Sequence, residues 1–218
     1  MKHLRTLSLT LFALLTALVA GAQSPQYQEA MAKQVALLDE GSSYNPQTML
    51  EISNTFERIA ATEQNQWLPY YYAAYAQVMS AFMQENDKDK MDALADKADM
   101  NIGKAEALQP DNDEIACIKS LIATVRISVD PPSRGQQYGP ESGAQLVKAK
   151  QLNPENPRVY LLEGQALYYT PEQFGGDKVK AKEVLEQALQ KFTAFKPASN
   201  IAPHWGEARA KQLLAEMN

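Results

Sequence analysis

Few residues in this sequence have the types and spacing that chemistry requires. There are two histidines, His3 and His204, and one cysteine, Cys117, which lies in an apolar segment. Outside the N-terminal segment, His204 is the single histidine, and it has no cysteine or acidic partner at ligand spacing, so the sequence does not predict a zinc site. Neither HExxH nor CxxC is present. A lone cysteine cannot form an internal disulfide, so we expect Cys117 to be a small core residue.

Other catalytic patterns are also missing from the sequence. It contains no GxSxG motif and no phosphate-binding glycine loop. The stretch "FGGD" at 174–177 predicts a glycine turn in which Asp177 caps a helix beginning at Lys178. The stretch "NDKDKMD" lacks the glycine and glutamate spacing of a calcium loop and predicts a charged helix face. We therefore expect a protein that is not an enzyme and that needs no cofactor or metal.

The N-terminus has the three parts of a secretory signal. Basic residues come first, an apolar run follows from Leu7 to Val19, and Ala20-Gly21-Ala22 precede Gln23. This order predicts cleavage between Ala22 and Gln23, and a periplasmic or secreted mature chain; a retained N-terminal anchor is the alternative. No later segment reaches the roughly 20 apolar residues of a membrane helix. The formal net charge of −5 does not favour nucleic acid as a partner.

A phrase repeats in the sequence with a shift of 44 residues. "KAEALQPDND" begins at Lys104 and "KAKQLNPENP" begins at Lys148. Prolines at the same step, Pro25, Pro69 and Pro157, predict helix starts, because proline is tolerated in the first turn. Steps of 44 from Pro25 reach positions 25, 69, 113, 157 and 201, and a small residue lies seven positions after each of them. A small residue at a fixed place in each helix indicates close approach of a neighbouring helix. These small residues are Ala32, Ala76, Ser120, Gly164 and Ala208.

Second helices are predicted between these starts, and sustained β alternation is missing. The predicted second helices are Thr48 to Ala61, Met91 to Leu108, Ser142 to Leu152 and Lys178 to Phe195. The repeated phrase is then the end of one helix and the turn into the next. The sequence predicts an all-α solenoid of roughly four antiparallel helix pairs plus a C-terminal capping helix near Pro203, forming one domain over 23–218. The extra length of each repeat is predicted in loops, including 129–140, whose conformation the sequence leaves open.

The pattern of a small residue, a late alanine and a proline five residues later resembles the tetratricopeptide repeat. The period exceeds the family's 34 residues, so HEAT-type repeats remain an alternative. Ala116 also departs from the pattern, which prefers a large apolar residue there. The C-terminal third, with "TPEQFGGDKVKAKEVLEQ" and "PHWG", looks like exported tetratricopeptide-type proteins of Gram-negative bacteria. That resemblance implies a fold and a compartment more than an activity.

The resemblance implies a concave groove, lined by the first helices, that binds a protein or peptide. Two alternatives stay open: a passive structural subunit of a cell-envelope complex, and a glycan-binding module that uses the tyrosines of "WLPYYYAAY". The family's groove-facing positions fall on Tyr70, Gln77, Glu114, Thr124, Arg158, Gln165, Tyr168 and Tyr169.

Overall fold

A computed structural model of the protein describes residues 24–39, 44–84 and 86–217. The predicted signal peptide and its cleavage site lie outside these residues. No helix in the described ranges combines the length and the hydropathy needed to cross a bilayer.

The described residues form nine α-helices and no strands, which confirms the predicted all-α class. Consecutive helices pack as pairs, α1 with α2, α3 with α4, α5 with α6 and α7 with α8, and α9 packs on α8. Helices α3, α5 and α7 also contact one another in order, so the first helices of successive pairs share one face of the array. We call this the inner face. The bounds are α1 Pro25–Asp39, α2 Pro46–Thr62, α3 Trp67–Phe82, α4 Lys88–Leu108, α5 Asp113–Val129, α6 Pro131–Leu152, α7 Pro157–Tyr169, α8 Lys178–Ala194 and α9 Glu207–Glu216.

Side-chain caps explain why the repeated phrase is a helix boundary. Asn112 accepts hydrogen bonds from the backbone N–H groups at the start of α5, and Asn156 caps α7 in the same way. These asparagines occupy equivalent places 44 residues apart, after the prolines that turn the chain. Each satisfies backbone donors that have no partner inside the helix. Asp177 caps α8 by accepting from Lys180 N–H, as predicted.

Several predicted helix starts are wrong, and α2 and α4 begin two and three residues before the predicted Thr48 and Met91. Helix α3 begins at Trp67, before Pro69, and α9 begins at Glu207, after Pro203. In the segment 129–140, which was predicted as a loop, residues 131–140 belong to α6, which begins at Pro131 and contains Pro140. Proline at a first helical position costs no hydrogen bond, so Pro131 starts the helix. The Arg134 guanidinium, which donates to both carboxylate oxygens of Asp92, ties this first half of α6 to α4.

The small residues predicted at helix contacts are buried in three of the five repeats. Ala76 and Ser120 are buried, and a Cβ added to Gly164 would lie 2.6 Å from Cγ of Leu185 on α8. A side chain at position 164 would therefore force Leu185 of α8 to shift in a closely packed contact between α7 and α8. The prediction is wrong at Ala208, which is exposed on α9.

The connection from α8 to α9, residues 195–206, crosses the inner face, and we call it the strap. The Trp205 ring stacks on Tyr75 of α3 with centroids 4.8 Å apart, and Trp205 Nε1 donates to Tyr71 Oη at 2.7 Å. Tyr72 Oη donates to the carbonyl of Ile201, which is 1% exposed. The strap thus packs against the tyrosines of α3. Trp205 therefore packs the C-terminal part of the chain onto α3.

Candidate functional site

Three of the predicted groove residues lie inside the protein. Gln77, Glu114 and Arg158 are buried, although the repeat pattern predicted them on a ligand-facing surface. Gln77 Nε2 donates to Glu57 Oε1 at 2.9 Å, in a network that includes Asn101. Glu114 and Arg158 pair with each other. The groove prediction is wrong for these three residues, because neighbouring helices and the strap cover them.

The Glu114–Arg158 ion pair joins equivalent positions of two successive repeats, 44 residues apart. Arg158 Nε donates to both Glu114 carboxylate oxygens at 2.8 Å, and Tyr71 and Asn156 donate to the same carboxylate. Removal from water raises the pKa of the Glu114 carboxyl, and the Arg158 guanidinium offsets part of that rise. The guanidinium also stacks 4.6 Å from the centroid of Phe195 in the strap. This pair therefore connects α5, α7 and the strap.

The other five predicted groove residues retain some exposure. Tyr70 Oη donates to the Ala60 carbonyl of α2, and the Thr124 hydroxyl donates to the Ser120 carbonyl one turn earlier in its own helix. Gln165 and Tyr168 are partly exposed.

Tyr169 is the most accessible of the predicted groove residues, with 58% of its surface exposed. Its ring lies edge-to-face with Tyr168, with the centroids 4.9 Å apart. The two side chains form an accessible aromatic corner at the end of α7.

A cleft of about 580 Å³ lies between α1 and the C-terminal part of the chain. One wall is a face of α1, and the other is formed by the end of α8, the strap and the start of α9. Most of the wall residues are apolar, and two are phenylalanines. The lining residues are Ala32, Val35, Ala36, Asp39, Phe192, Phe195, Pro197, Asn200, His204 and Glu207.

The polar residues of the cleft include His204, whose two ring nitrogens both face oxygen atoms. Nδ1 lies 2.8 Å from the Ala202 carbonyl, and Nε2 lies 3.0 Å from Asp39 Oδ2. The second contact joins α1 to the strap at the cleft. Local sequence patterns could not identify the cleft, because its two walls come from opposite ends of the chain. The only signal was the isolated histidine in "PHWG".

The remaining reactive side chains do not assemble into a second centre in the described part of the chain. Cys117 is buried as predicted, and burial raises the pKa of its thiol. Over residues 24–39, 44–84 and 86–217, no three histidine, cysteine or acidic side chains are grouped as metal ligands would be.

Comparison with known proteins gives an informative likeness among solved structures. No protein-family model matches the chain, so the tetratricopeptide resemblance rests on its pattern and on its helical class, and no curated protein matches it either. Among solved structures, the chain is similar to the HusA haemophore from Porphyromonas gingivalis, with 40% sequence identity and a TM-score of 0.79. The match covers 90% of this chain and 94% of that chain. With that identity over nearly the full length of both proteins, the chain belongs to the family of the HusA haemophore.

Proposed function

We propose that this protein is a non-enzymatic, exported haem-binding protein. The observation that carries the proposal is its 40% identity, over 90% of the chain, to a protein described as a haemophore. Export is supported by the signal-like N-terminus, with cleavage proposed between Ala22 and Gln23.

The cleft between α1 and the strap is the proposed haem site. Its volume of about 580 Å³ lies within the range of roughly 300–1,000 Å³ that is usual for small-molecule sites. Phe192 and Phe195 offer aromatic rings on one side, and Val35 offers an aliphatic surface on the other. A flat, largely apolar macrocycle can gain dispersion contacts with both walls while its charged carboxylates stay in water.

His204 is the histidine available at this cleft, and neither of its ring nitrogens is free to bind iron in this conformation. Both face oxygen acceptors, one on Ala202 and one on Asp39. Recognition here is therefore assigned to the plane of the macrocycle rather than to its iron. We expect a metal-free porphyrin to bind with an affinity comparable to that of haem.

The test is an absorbance titration of the purified mature chain with haem, using a variant that fills the cleft. Ala36 lies on the exposed side of α1 and lines the cleft, so Ala36→Arg places a long side chain where the ligand would lie. We expect the Kd to rise at least about ten-fold, a loss of about 1.4 kcal/mol. Ala93→Arg, the same change at an exposed position of α4, is the matched control. Unchanged haem affinity in Ala36→Arg would exclude the cleft as the haem site. No haem binding by the unaltered protein would refute the proposed function.

A second candidate is the binding of a protein or peptide through the inner face. The exposed Tyr169, beside the partly exposed Tyr168 and Gln165, favours it at the end of α7. The strap already covers part of this face, which leaves less of it for a partner. Loss of a recurrent in-cell crosslink in a Tyr168→Ala/Tyr169→Ala variant would support this candidate.

The glycan-binding alternative loses its main support. Tyr71, Tyr72 and Tyr75 of the tyrosine cluster are buried, so these rings offer no stacking platform to a sugar.

A further inference from the structure

The contact between His204 and Asp39 joins two distant parts of the chain. The residues are 165 positions apart, and both line the cleft. Asp39 is the last residue of α1, and His204 is in the strap. This contact therefore bridges the two walls between which a ligand would enter.

Hydrogen-bonding chemistry fixes the protonation state that makes this bridge. A neutral imidazole carries one N–H, whereas the imidazolium donates from both nitrogens. The Ala202 carbonyl and the ionised Asp39 carboxylate can only accept, at 2.8 and 3.0 Å. With a neutral ring, the lone pair of one ring nitrogen would face an acceptor oxygen, either the Ala202 carbonyl or the Asp39 carboxylate. Only the protonated ring makes both contacts.

The other charged groups around the bridge keep their charge state between mildly acid and mildly alkaline pH. Asp39 faces His204 from α1 and Glu207 lies in the same cleft on α9, and carboxylates ordinarily ionise below this interval. Tyr72 of α3 lines a small adjoining cavity with His204, and burial raises the pKa of its hydroxyl, so it stays neutral. Arg158 of α7, which contacts the neighbouring Trp205, keeps its charge throughout.

The packing of α1 makes it the wall of the cleft that can move. Its buried residues Tyr27, Met31, Val35 and Leu38 form one apolar stripe, and its main helical neighbour is α2. Towards the strap, α1 presents the cleft and, at its last residue, the contact with His204. Loss of that contact would weaken the connection between α1 and the strap at the cleft.

We propose that the His204–Asp39 pair is a proton-dependent clasp that retains the ligand in the cleft. This inference rests on the proposed haem-binding function. The pair contributes its stabilisation while His204 is protonated, and that contribution is lost as the pH rises and the ring loses its proton. The protein then holds its ligand longer in mildly acid than in mildly alkaline solution.

The experiment measures haem release from the loaded mature chain into excess apomyoglobin at about pH 5.5 and about pH 8.0. We expect release to be about three-fold faster at the higher pH, the size of effect given by a half-exposed ion pair. In Asp39→Asn, the new amide can donate to a neutral Nε2, so the pH difference should disappear. Asp39→Ala should release quickly at both values. Glu29→Gln, a carboxylate-to-amide change at an exposed position of the same helix, should keep the normal pH dependence.

Two results would overturn the clasp. One is an unchanged ratio of release rates in Asp39→Asn. The other comes from the ligand-free protein, where His204 is the only histidine of residues 23–218, so the Nδ1 and Nε2 resonances in ¹⁵N NMR belong to this one ring. A ring carrying one N–H at about pH 5.5 would contradict the clasp, whether or not haem binds. Failure to bind haem, with a doubly protonated ring, would instead refute the proposed function.

Discussion

Replacing Arg158 with methionine should lower the free energy of unfolding substantially. Arg158 is 1% exposed, and its guanidinium makes charge-assisted hydrogen bonds to both oxygens of Glu114. Arg158→Met keeps most of the side-chain volume but leaves the Glu114 carboxylate buried without a cation. Breaking a buried pair in this way costs about 3–5 kcal/mol.

The surroundings of Glu114 place the expected loss near about 3 kcal/mol, the lower end of that range. Asn156 and Tyr71 still donate to the carboxylate, so it is not left without partners. Burial already raises the pKa of Glu114, and without Arg158 the carboxyl takes up a proton more readily still. A group whose pKa is higher in the folded state favours folding increasingly as the pH falls. The Arg158→Met variant should therefore recover stability relative to the unaltered protein on acidification.

A double-mutant cycle in urea, followed by circular dichroism, measures this coupling. Glu114→Gln combined with Arg158→Met buries no charge, and we expect it to lose only about 1 kcal/mol. The coupling energy would then be about 2 kcal/mol or more. Additive losses in the double variant would refute the account, because they would mean that the two charges do not depend on each other.

Three further substitutions, one of them a control, test the helix contacts. Arg134 lowers the pKa of the Asp92 carboxyl, so their pair stabilises the fold above the ordinary carboxyl range and this stabilisation is lost as the pH falls. Asp92→Asn removes the pair, and we expect it to lower the free energy of unfolding by at most about 1 kcal/mol at neutral pH. In thermal unfolding, the difference from the unaltered protein should disappear towards about pH 3. Gly164→Ala should cost about 1–3 kcal/mol, because the added Cβ would collide with Leu185. Gly103→Ala in α4, where a Cβ meets nothing within 4 Å, should instead stabilise the fold by about 0.5–1 kcal/mol. Equal melting temperatures for the two glycine variants would contradict the close approach of α7 and α8.

Local chemistry made much of the fold predictable from the sequence. The 44-residue register predicted a turn between helices at the repeated phrase, and the asparagines in that phrase cap the next helix, because a helix start needs a side-chain acceptor for its first N–H groups. Cys117 and Asp177 could be assigned for similarly local reasons. The boundary of α6 could not, because "DPPSRGQQYGP" is a poor helix by composition and is anchored through Arg134 to a carboxylate on α4.

The candidate site was much less predictable. A charged residue in a repeat is ordinarily expected at the surface, yet Glu114 and Arg158 are buried because each neutralises the other. Their partnership depends on the stacking of two repeats, which no single repeat reveals. The cleft brings together α1 and residues near the C-terminus, and a periodic pattern carries no information about such a contact.

The strap also has a consequence for how the chain folds. In an open array of repeats each unit contacts only its neighbours, so folding can spread from any point and the ends can unravel separately. Here the strap reaches back across 129 positions to Tyr72, 134 to Tyr71 and 165 to Asp39. Such contacts form only after a long loop closes, which slows folding. In return they couple the first helices to the last, so that the array unfolds as one cooperative unit rather than repeat by repeat.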